Sequence, residues 1–363
     1  MSLKCGIVGL PNCGKSTIFN ALTGQGAEAA SFPFSTVQPN VGIVPVPDER
    51  LEVLRAYIET KRVVPAELEV VDVAGLPRGA SRGEGLGNRF LGHIKEVDAL
   101  IHVVRFYRPP GDAGAGIDPL GDIEIVETEL ALADLDTVER NLDRVSRRAR
   151  SGDQKAIECR ELFGRVRDFL SDGHQLRKMR AAERERELLR PMFLLTSKPV
   201  LYLANTEEGD PGEELQRALE ATEDFAVQQG AEMLRLWGRF EAELVELSPE
   251  EQGDFLADAG LAEPGLVRLI KSSYHLLGLR TFFTAGEKEI RAWTFHHGDR
   301  APRAAGVIHT DFEKKFIRAE IYTLEDLREY HSEAAIKAAG KLRIEGKDYA
   351  MQDGDVAHIL IGR

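Results

Sequence analysis

Residues 4–17 read Lys4-Cys5-Gly6-Ile7-Val8-Gly9-Leu10-Pro11-Asn12-Cys13-Gly14-Lys15-Ser16-Thr17. A short apolar run leads straight into G-x-x-x-x-G-K-S, and Thr17-Ile18-Phe19-Asn20-Ala21-Leu22 continues with helical spacing. Strand, glycine-bounded turn and helix in that order make a Walker A phosphate loop. A polyphosphate needs a ring of backbone N–H groups, hence glycines where the chain bends toward the anion, and a helix N-terminus facing it. The backbone of Asn12, Cys13, Gly14, Lys15, Ser16 and Thr17 is therefore expected to line the phosphates. Lys15 is placed to reach the β- and γ-phosphates, and the Ser16 hydroxyl to ligate Mg²⁺. The stretch predicts an α/β fold that binds a nucleoside phosphate.

With 363 residues, the chain has room for two domains. Its 43% hydrophobic and 29% charged content is that of an ordinary soluble protein. Three cysteines (Cys5, Cys13 and Cys159) are too few and scattered for a disulfide framework or a zinc site, and two lie in the first strand and phosphate loop. A reducing cytoplasm is the expected compartment. No stretch approaches the roughly 20 apolar residues needed to span a bilayer, and the first strand begins too early for a signal peptide. The net charge of −13 is uneven: residues 139–190 carry 15 basic and 10 acidic side chains, residues 205–265 carry 3 and 17. An acidic chain of this kind is not expected to bind DNA, but its basic segment can dock on phosphate backbone.

Downstream of the first helix, Ser31-Phe32-Pro33-Phe34-Ser35-Thr36 precedes a strand at Val41-Gly42-Ile43-Val44. Thr36 there suits a switch that closes on Mg²⁺ and the γ-phosphate. The run Leu68-Glu69-Val70-Val71-Asp72 is a further strand and ends in Asp72-Val73-Ala74-Gly75. Asp72 can hold the magnesium shell and the Gly75 N–H can meet the γ-phosphate. Gly79, Gly83, Gly85 and Gly87 follow, as a segment that orders and disorders requires. Residues 99–104 read as a buried strand, with His102 expected to be a satisfied core or edge histidine, and residues 109–121 as a loop.

Two helical seams come next. Leu135, Val138, Leu142, Val145 and Ala149 step by 3 and 4, Ser151-Gly152-Asp153 interrupts, and Ala156, Cys159, Phe163, Val166 and Leu170 resume the spacing. They predict an antiparallel hairpin whose arginines are mostly a solvated face and which can serve as an arm for RNA or a ribosome. The strand at residues 198–204 then leads into Asn205-Thr206-Glu207-Glu208. A guanine-specific protein carries N-K-x-D there. With Thr206 for the lysine and the longer Glu208 for the aspartate, guanine selection is weakened, since an unpaired buried donor costs about 1–3 kcal/mol. After Gly278 the pattern changes to short strands, a helix near residues 325–330 and a final strand at 358–361, a small α+β module with one or two helices.

Together, the phosphate loop, the run from Asp72 to Asn88, Asn205–Glu208 and the C-terminal stretches 304–313 and 346–355 resemble the YchF/Obg-like ATPases, a family of P-loop NTPases. The resemblance covers essentially the whole chain. It implies a Ras-like, Obg-type G domain over residues 1–277 with a helical insertion at about 125–190, and a β-grasp TGS domain over 278–363. It further implies slow Mg²⁺-dependent hydrolysis of ATP in preference to GTP by a ribosome-associated, monomeric protein that contacts ribosomal RNA or protein. Lys15, Asp72 and Gly75 would serve catalysis, Ser16 and Thr36 the metal, and Asn205, Thr206 and Glu208 the base; Asn12 is a candidate holder of K⁺. Two positions depart from the common pattern. Leu76 stands where many GTPases place a water-orienting glutamine, and no histidine lies between His102 and His174 to take its place. Trp237-Gly238 stands where a small base-contacting loop is expected. An Obg-type GTPase acting in translation or ribosome assembly, and a non-hydrolysing nucleotide-gated adaptor, fit the same motifs; Asn205–Glu208 disfavours the first, and Leu76 speaks for the second.

Overall fold

The computed structural model describes residues 3–24, 39–73, 75, 79, 86–108 and 116–362. From the N-terminus, β1 (Lys4–Val8) leads through α1 (Lys15–Gly24) to β2 (Asn40–Pro45). Next come α2 (Arg50–Tyr57), the two-residue β3 (Val63–Val64) and β4 (Glu67–Asp72). Helix α3 (Leu86–Lys95) precedes β5 (Ala99–Phe106), the long α4 (Pro119–Ala149), α5 (Gln154–Ser171) and α6 (Glu183–Leu189). The chain returns through β6 (Val200–Thr206), α7 (Gly212–Gln228), β7 (Glu232–Leu236), α8 (Gly238–Val245), α9 (Pro249–Asp258) and α10 (Gly265–Leu276). Its last part contains β8 (Leu279–Thr284), β9 (Ile290–His296), α11 (Ala301–Ala305), α12 (Thr310–Lys314) and β10 (Phe316–Tyr322). It closes with α13 (Leu324–Tyr330), α14 (Glu333–Ala338), β11 (Arg343–Glu345) and β12 (Val356–Ile361).

Two compact units result: Met1–Ile43 with Glu69–Leu269, and Val44–Leu68 with Ile270–Arg363. In the first, a six-stranded sheet has the order β2-β4-β1-β5-β6-β7. Strand β1 pairs in parallel with β4 on one side and β5 on the other, and β5, β6 and β7 continue in parallel. β5 and β6 are buried along nearly their whole length, which explains their unbroken apolar runs. The chain order reverses across β1, and a crevice opens beyond the carboxyl ends of strands at such a switch point. The phosphate loop sits there, and the register Ile7↔Asp72 sets Asp72 beside it.

Helix α4 starts earlier than its seam suggests. Residues 119–121, expected in a loop, form its first turn: Asp118 Oδ1 accepts from Gly121 N at 3.0 Å and Pro119 occupies the opening position. Its first half packs Ile123, Val126 and Leu130 into the core of the sheet. Its second half packs Val138, with Leu135, Leu142 and Val145, against Leu162, Phe163, Val166 and Leu170 of α5. The predicted seams are thus the core of the hairpin, and Ala149 and Ala156 are buried at its turn. Asp134, 1% exposed, marks the changeover. Its carboxylate accepts from Leu195 N, Thr196 N and the Thr196 hydroxyl, tying α4 to the segment that leads into β6.

In the second unit the sheet order is β11-β10-β12-β8-β9-β3, with the core formed by residues such as Phe282, Phe295, Phe316, Ile321 and Met351. Residues 44–68, read from sequence as part of the nucleotide domain, supply its edge strand β3, paired in parallel with β9. Arg50 fixes this segment. It bonds Asp48 through Nε at 2.8 Å and Nη2 at 2.7 Å, bonds Asp353 through Nη1 at 2.9 Å, and lies over the Phe283 ring. Where one or two helices are expected in the C-terminal module, the structure has the four short ones α11–α14.

Candidate nucleotide-binding site

The phosphate loop is built from backbone that few residues tolerate. Gly9 has φ +150°, and a Cβ there would lie 2.5 Å from Val103 O; Gly14 has φ +95°, and a Cβ would lie 2.2 Å from Asn205 Nδ2. Both motif glycines are therefore required by conformation and by space. Asn12, a residue type that tolerates it, takes the left-handed conformation at φ +60°. Helix α1 begins directly after, with Ile18 N bonding Gly14 O at 3.0 Å. The N-terminus of the helix and the alternating backbone conformations before it make the concave array of N–H groups that holds an anion.

Lys15 is 7% exposed, and its Nζ donates to Leu10 O at 2.7 Å. Gly75 packs directly on this loop: a Cβ there would lie 3.1 Å from Lys15 Nζ and 3.3 Å from the Pro11 backbone. Asp72 reaches the same place. Its Oδ2 accepts from the Ser16 hydroxyl at 3.4 Å, while its Oδ1 is buried with no partner among the described residues. Burial raises the Asp72 pKa, with Lys15 and the Ser16 hydrogen bond opposing. A hydroxyl beside a carboxylate with an unsatisfied buried oxygen fits a hard cation such as Mg²⁺, which takes few protein ligands and completes its shell with water and phosphate. Thr36, the other expected metal ligand, lies outside the described residues, as does Leu76. Burial also pushes the Cys13 thiol up, with Lys15 opposing, so this residue sits in the loop as a neutral group.

The three expected base residues separate in role. Asn205, 5% exposed at the end of β6, donates from Nδ2 to Cys13 O at 3.0 Å and accepts from Gly238 N at 3.0 Å. It braces the phosphate loop against the turn that follows β7. Thr206 is buried, and its hydroxyl accepts from Arg235 Nε at 3.2 Å; Arg235 also bonds Gly209 O at 3.1 Å and lies 6.0 Å from the Trp237 ring centre. Glu208 is exposed at the loop end. Trp237-Gly238 is thereby explained in part: a Cβ at Gly238 would come within 2.7 Å of Asn205 Oδ1.

Two site residues carry no motif. Arg235 holds the Asn205–Glu208 loop from the neighbouring strand. Tyr107, just past β5, donates its hydroxyl to Asn12 O at 2.9 Å. The only trace either leaves in sequence is its position at or next to the carboxyl end of a sheet strand. His102 is buried between β1 and β6, its ring 5.6 Å from that of Tyr202, and its pKa is pushed down to about 3 by burial, with Arg177 and Lys15 adding to the shift. It is a neutral core residue.

A family model described as a 50S ribosome-binding GTPase matches residues 4–142, and a YchF GTPase C-terminal model, described as a protein of unknown function, matches residues 279–361. The "Ribosome-binding ATPase YchF" of Haemophilus influenzae is 48% identical over 360 residues, covering 99% of both chains. That of Bacillus subtilis is 46% identical over 361 residues with the same coverage. A solved structure, the Schizosaccharomyces pombe YchF GTPase, superposes with a TM-score of 0.86 at 37% identity, covering 99% of this chain and 98% of the other.

Proposed function

Because the chain belongs to the YchF family, we infer that it is a ribosome-binding P-loop ATPase, and that it hydrolyses ATP slowly and in preference to GTP. The observation that carries the nucleotide preference is the state of Asn205–Glu208. An intact phosphate cradle stands beside a base loop without the lysine and aspartate of guanine readers, and its Thr206 hydroxyl is committed to Arg235. The acceptor that remains, Glu208, is exposed and one methylene longer than the guanine-reading aspartate, so guanine selection is weakened, whereas the cradle serves any nucleoside triphosphate.

In this reading the backbone from Asn12 to Thr17 and the Lys15 ammonium offset phosphate charge, and Gly75 offers its N–H to the γ-phosphate. Ser16 and Thr36 would ligate Mg²⁺ and Asp72 would hold its water shell; the ion would supply charge neutralisation of the transferring phosphoryl group. Leu76 provides no group to orient water, so turnover without a partner is slow. Asn12 is the residue proposed to favour K⁺ over Na⁺ in turnover.

The partner is proposed to be ribosomal RNA or protein, met by the helical arm in the cytoplasm. Among the described residues, Arg144, Arg147, Arg150, Lys155 and Arg160 at the arm's far end are exposed and form no ion pair, whereas Arg140, Arg148, Arg165 and Arg184 do. Unpaired cations grouped on one projection favour a phosphate backbone. No described helix is long and apolar enough to cross a membrane. The C-terminal module is assigned as a TGS domain, and the protein as a monomer.

Paired calorimetric titrations of ATP and GTP with Mg²⁺ test the preference. ATP should bind at least tenfold more tightly, about 1.4 kcal/mol. Equal affinities or a GTP preference would move the protein to the GTPase reading. Ribosome cosedimentation that survives charge reversal at Arg144, Arg147 and Arg150 would remove the arm as the contact.

A further inference from the structure

We propose that Tyr107 is a positioning residue for the ATP site, its hydroxyl holding the Asn12 carbonyl outward so that the next N–H faces the phosphates. The role rests on the ATP-site reading above. In a trans peptide the C=O and the following N–H point in opposite directions. Whatever holds a loop carbonyl away from the anion therefore aims the succeeding N–H toward it. Two consecutive carbonyls of the phosphate loop are held in this way. Cys13 O accepts from Asn205 Nδ2 at 3.0 Å, which orients the Gly14 N–H, and Asn12 O accepts from the Tyr107 hydroxyl at 2.9 Å, which orients the Cys13 N–H.

The second brace matters because Asn12 is the residue of the loop that carries a side chain in the left-handed conformation. A left-handed φ of +60° at a side-chain-bearing residue is a minority conformation, and the surroundings must hold it. Tyr107 is suited to that. Phe106, the preceding residue, is fully buried and pairs with Thr206 across β5 and β6, so the backbone carrying Tyr107 is fixed by the central sheet. The tyrosine hydroxyl also lies 3.5 Å from where a Cβ on Gly14 would stand, alongside the second glycine of the motif. Burial raises the Tyr107 pKa, so the group remains a donor throughout the physiological range. The residue just past β5 and one near the end of β6 thus each send a side chain to one peptide of the cradle, Tyr107 to the 12–13 peptide and Asn205 to the 13–14 peptide.

The test is Y107F, which keeps the ring and removes the hydroxyl, titrated calorimetrically with ATP, ADP and AMP beside the wild-type protein. ADP and ATP present a β-phosphate to the cradle and AMP does not. Y107F should weaken ADP and ATP together by about three- to tenfold, the size of one net hydrogen bond, and leave AMP affinity close to wild type. Unchanged ADP and ATP affinity would overturn the proposal. So would an equal loss for all three nucleotides, the signature of a general structural defect. Wild-type protein that fails to bind ADP or ATP would instead bring down the ATP-site reading, and this role with it.

Discussion

Asn205 and Cys13 are 192 residues apart in sequence and joined by a 3.0 Å hydrogen bond from the Asn205 side chain to the Cys13 carbonyl. A side chain read as part of a base-recognition motif therefore has a second task, the shape of the phosphate loop. Asn205→Ala removes the donor to Cys13 O and the acceptor of Gly238 N, leaving two buried backbone groups unpaired at about 1–3 kcal/mol each. ATP and GTP affinity should fall in parallel, by about tenfold or more. A fluorescence titration in which one nucleotide alone is weakened would show that the brace matters less than direct base contact.

Asp72 opposes function to stability. Its pKa is raised by burial, so the native state favours the protonated carboxyl, and the ionised form costs stability at neutral pH that is recovered as pH falls through the raised pKa. Asp72→Asn removes that cost together with the negative charge. The nucleotide-free variant should melt no lower than wild type at pH 7, while Mg²⁺ affinity in the presence of ATP falls about 10- to 100-fold, the usual effect of losing a supporting carboxylate. Thermal scans with and without nucleotide and Mg²⁺ check both halves; a variant that melts lower and keeps its Mg²⁺ affinity contradicts the assignment.

His102 predicts an acid limb. With the folded pKa near 3 and the ordinary value 6.5, the unfolded chain binds a proton that the native state refuses over that window. Stability is therefore lost as pH falls from about 6.5 toward 3, at up to about 1.4 kcal/mol per pH unit. Substituting His102→Gln should flatten the slope of unfolding free energy against pH in that interval. An unchanged slope in urea titrations would show that other groups set it.

Phe163→Ala tests whether the arm's core is separable from the nucleotide site. Phe163 is buried in the α4–α5 seam, and its truncation should cost about 3–5 kcal/mol. Hydrogen exchange should quicken across residues 135–194, while ATP affinity stays within about twofold, well under the 1.4 kcal/mol of a tenfold change. Loss of ATP binding in step with arm protection would mean that the two form one cooperative unit.

The parts of the fold that announced themselves in sequence are those with local, periodic causes. The phosphate loop is a contiguous conformational demand, and the seams at 135–149 and 156–170 are a repeat along single helices. What stayed hidden depends on partners far along the chain. Tyr107 finds Asn12 across 95 residues, Arg235 finds Thr206 across 29, and Arg50 finds Asp353 across 303. No spacing rule encodes such pairs, because the fold, not the chain, makes them neighbours. β3 is two residues long, too short for any periodicity to register, so its membership of the second sheet could not be read from the sequence. Thr36 and the Leu76 position lie outside the described residues, and the site is legible there only as motif.

Helix α4 runs uninterrupted for 31 residues, about 46 Å at 1.5 Å per residue, with one half seated in the sheet core and the other in the arm. Past its first turn it contains no glycine or proline, so nothing along it acts as a joint. It behaves as an oar in a rowlock. A tilt of about 5° where it is seated on the sheet would sweep its far end, about 30 Å beyond, through roughly 3 Å, enough to re-aim a long side chain. Any rearrangement of the sheet core that reseats Ile123, Val126 or Leu130 is thus delivered, magnified, to the exposed arginines at the other end.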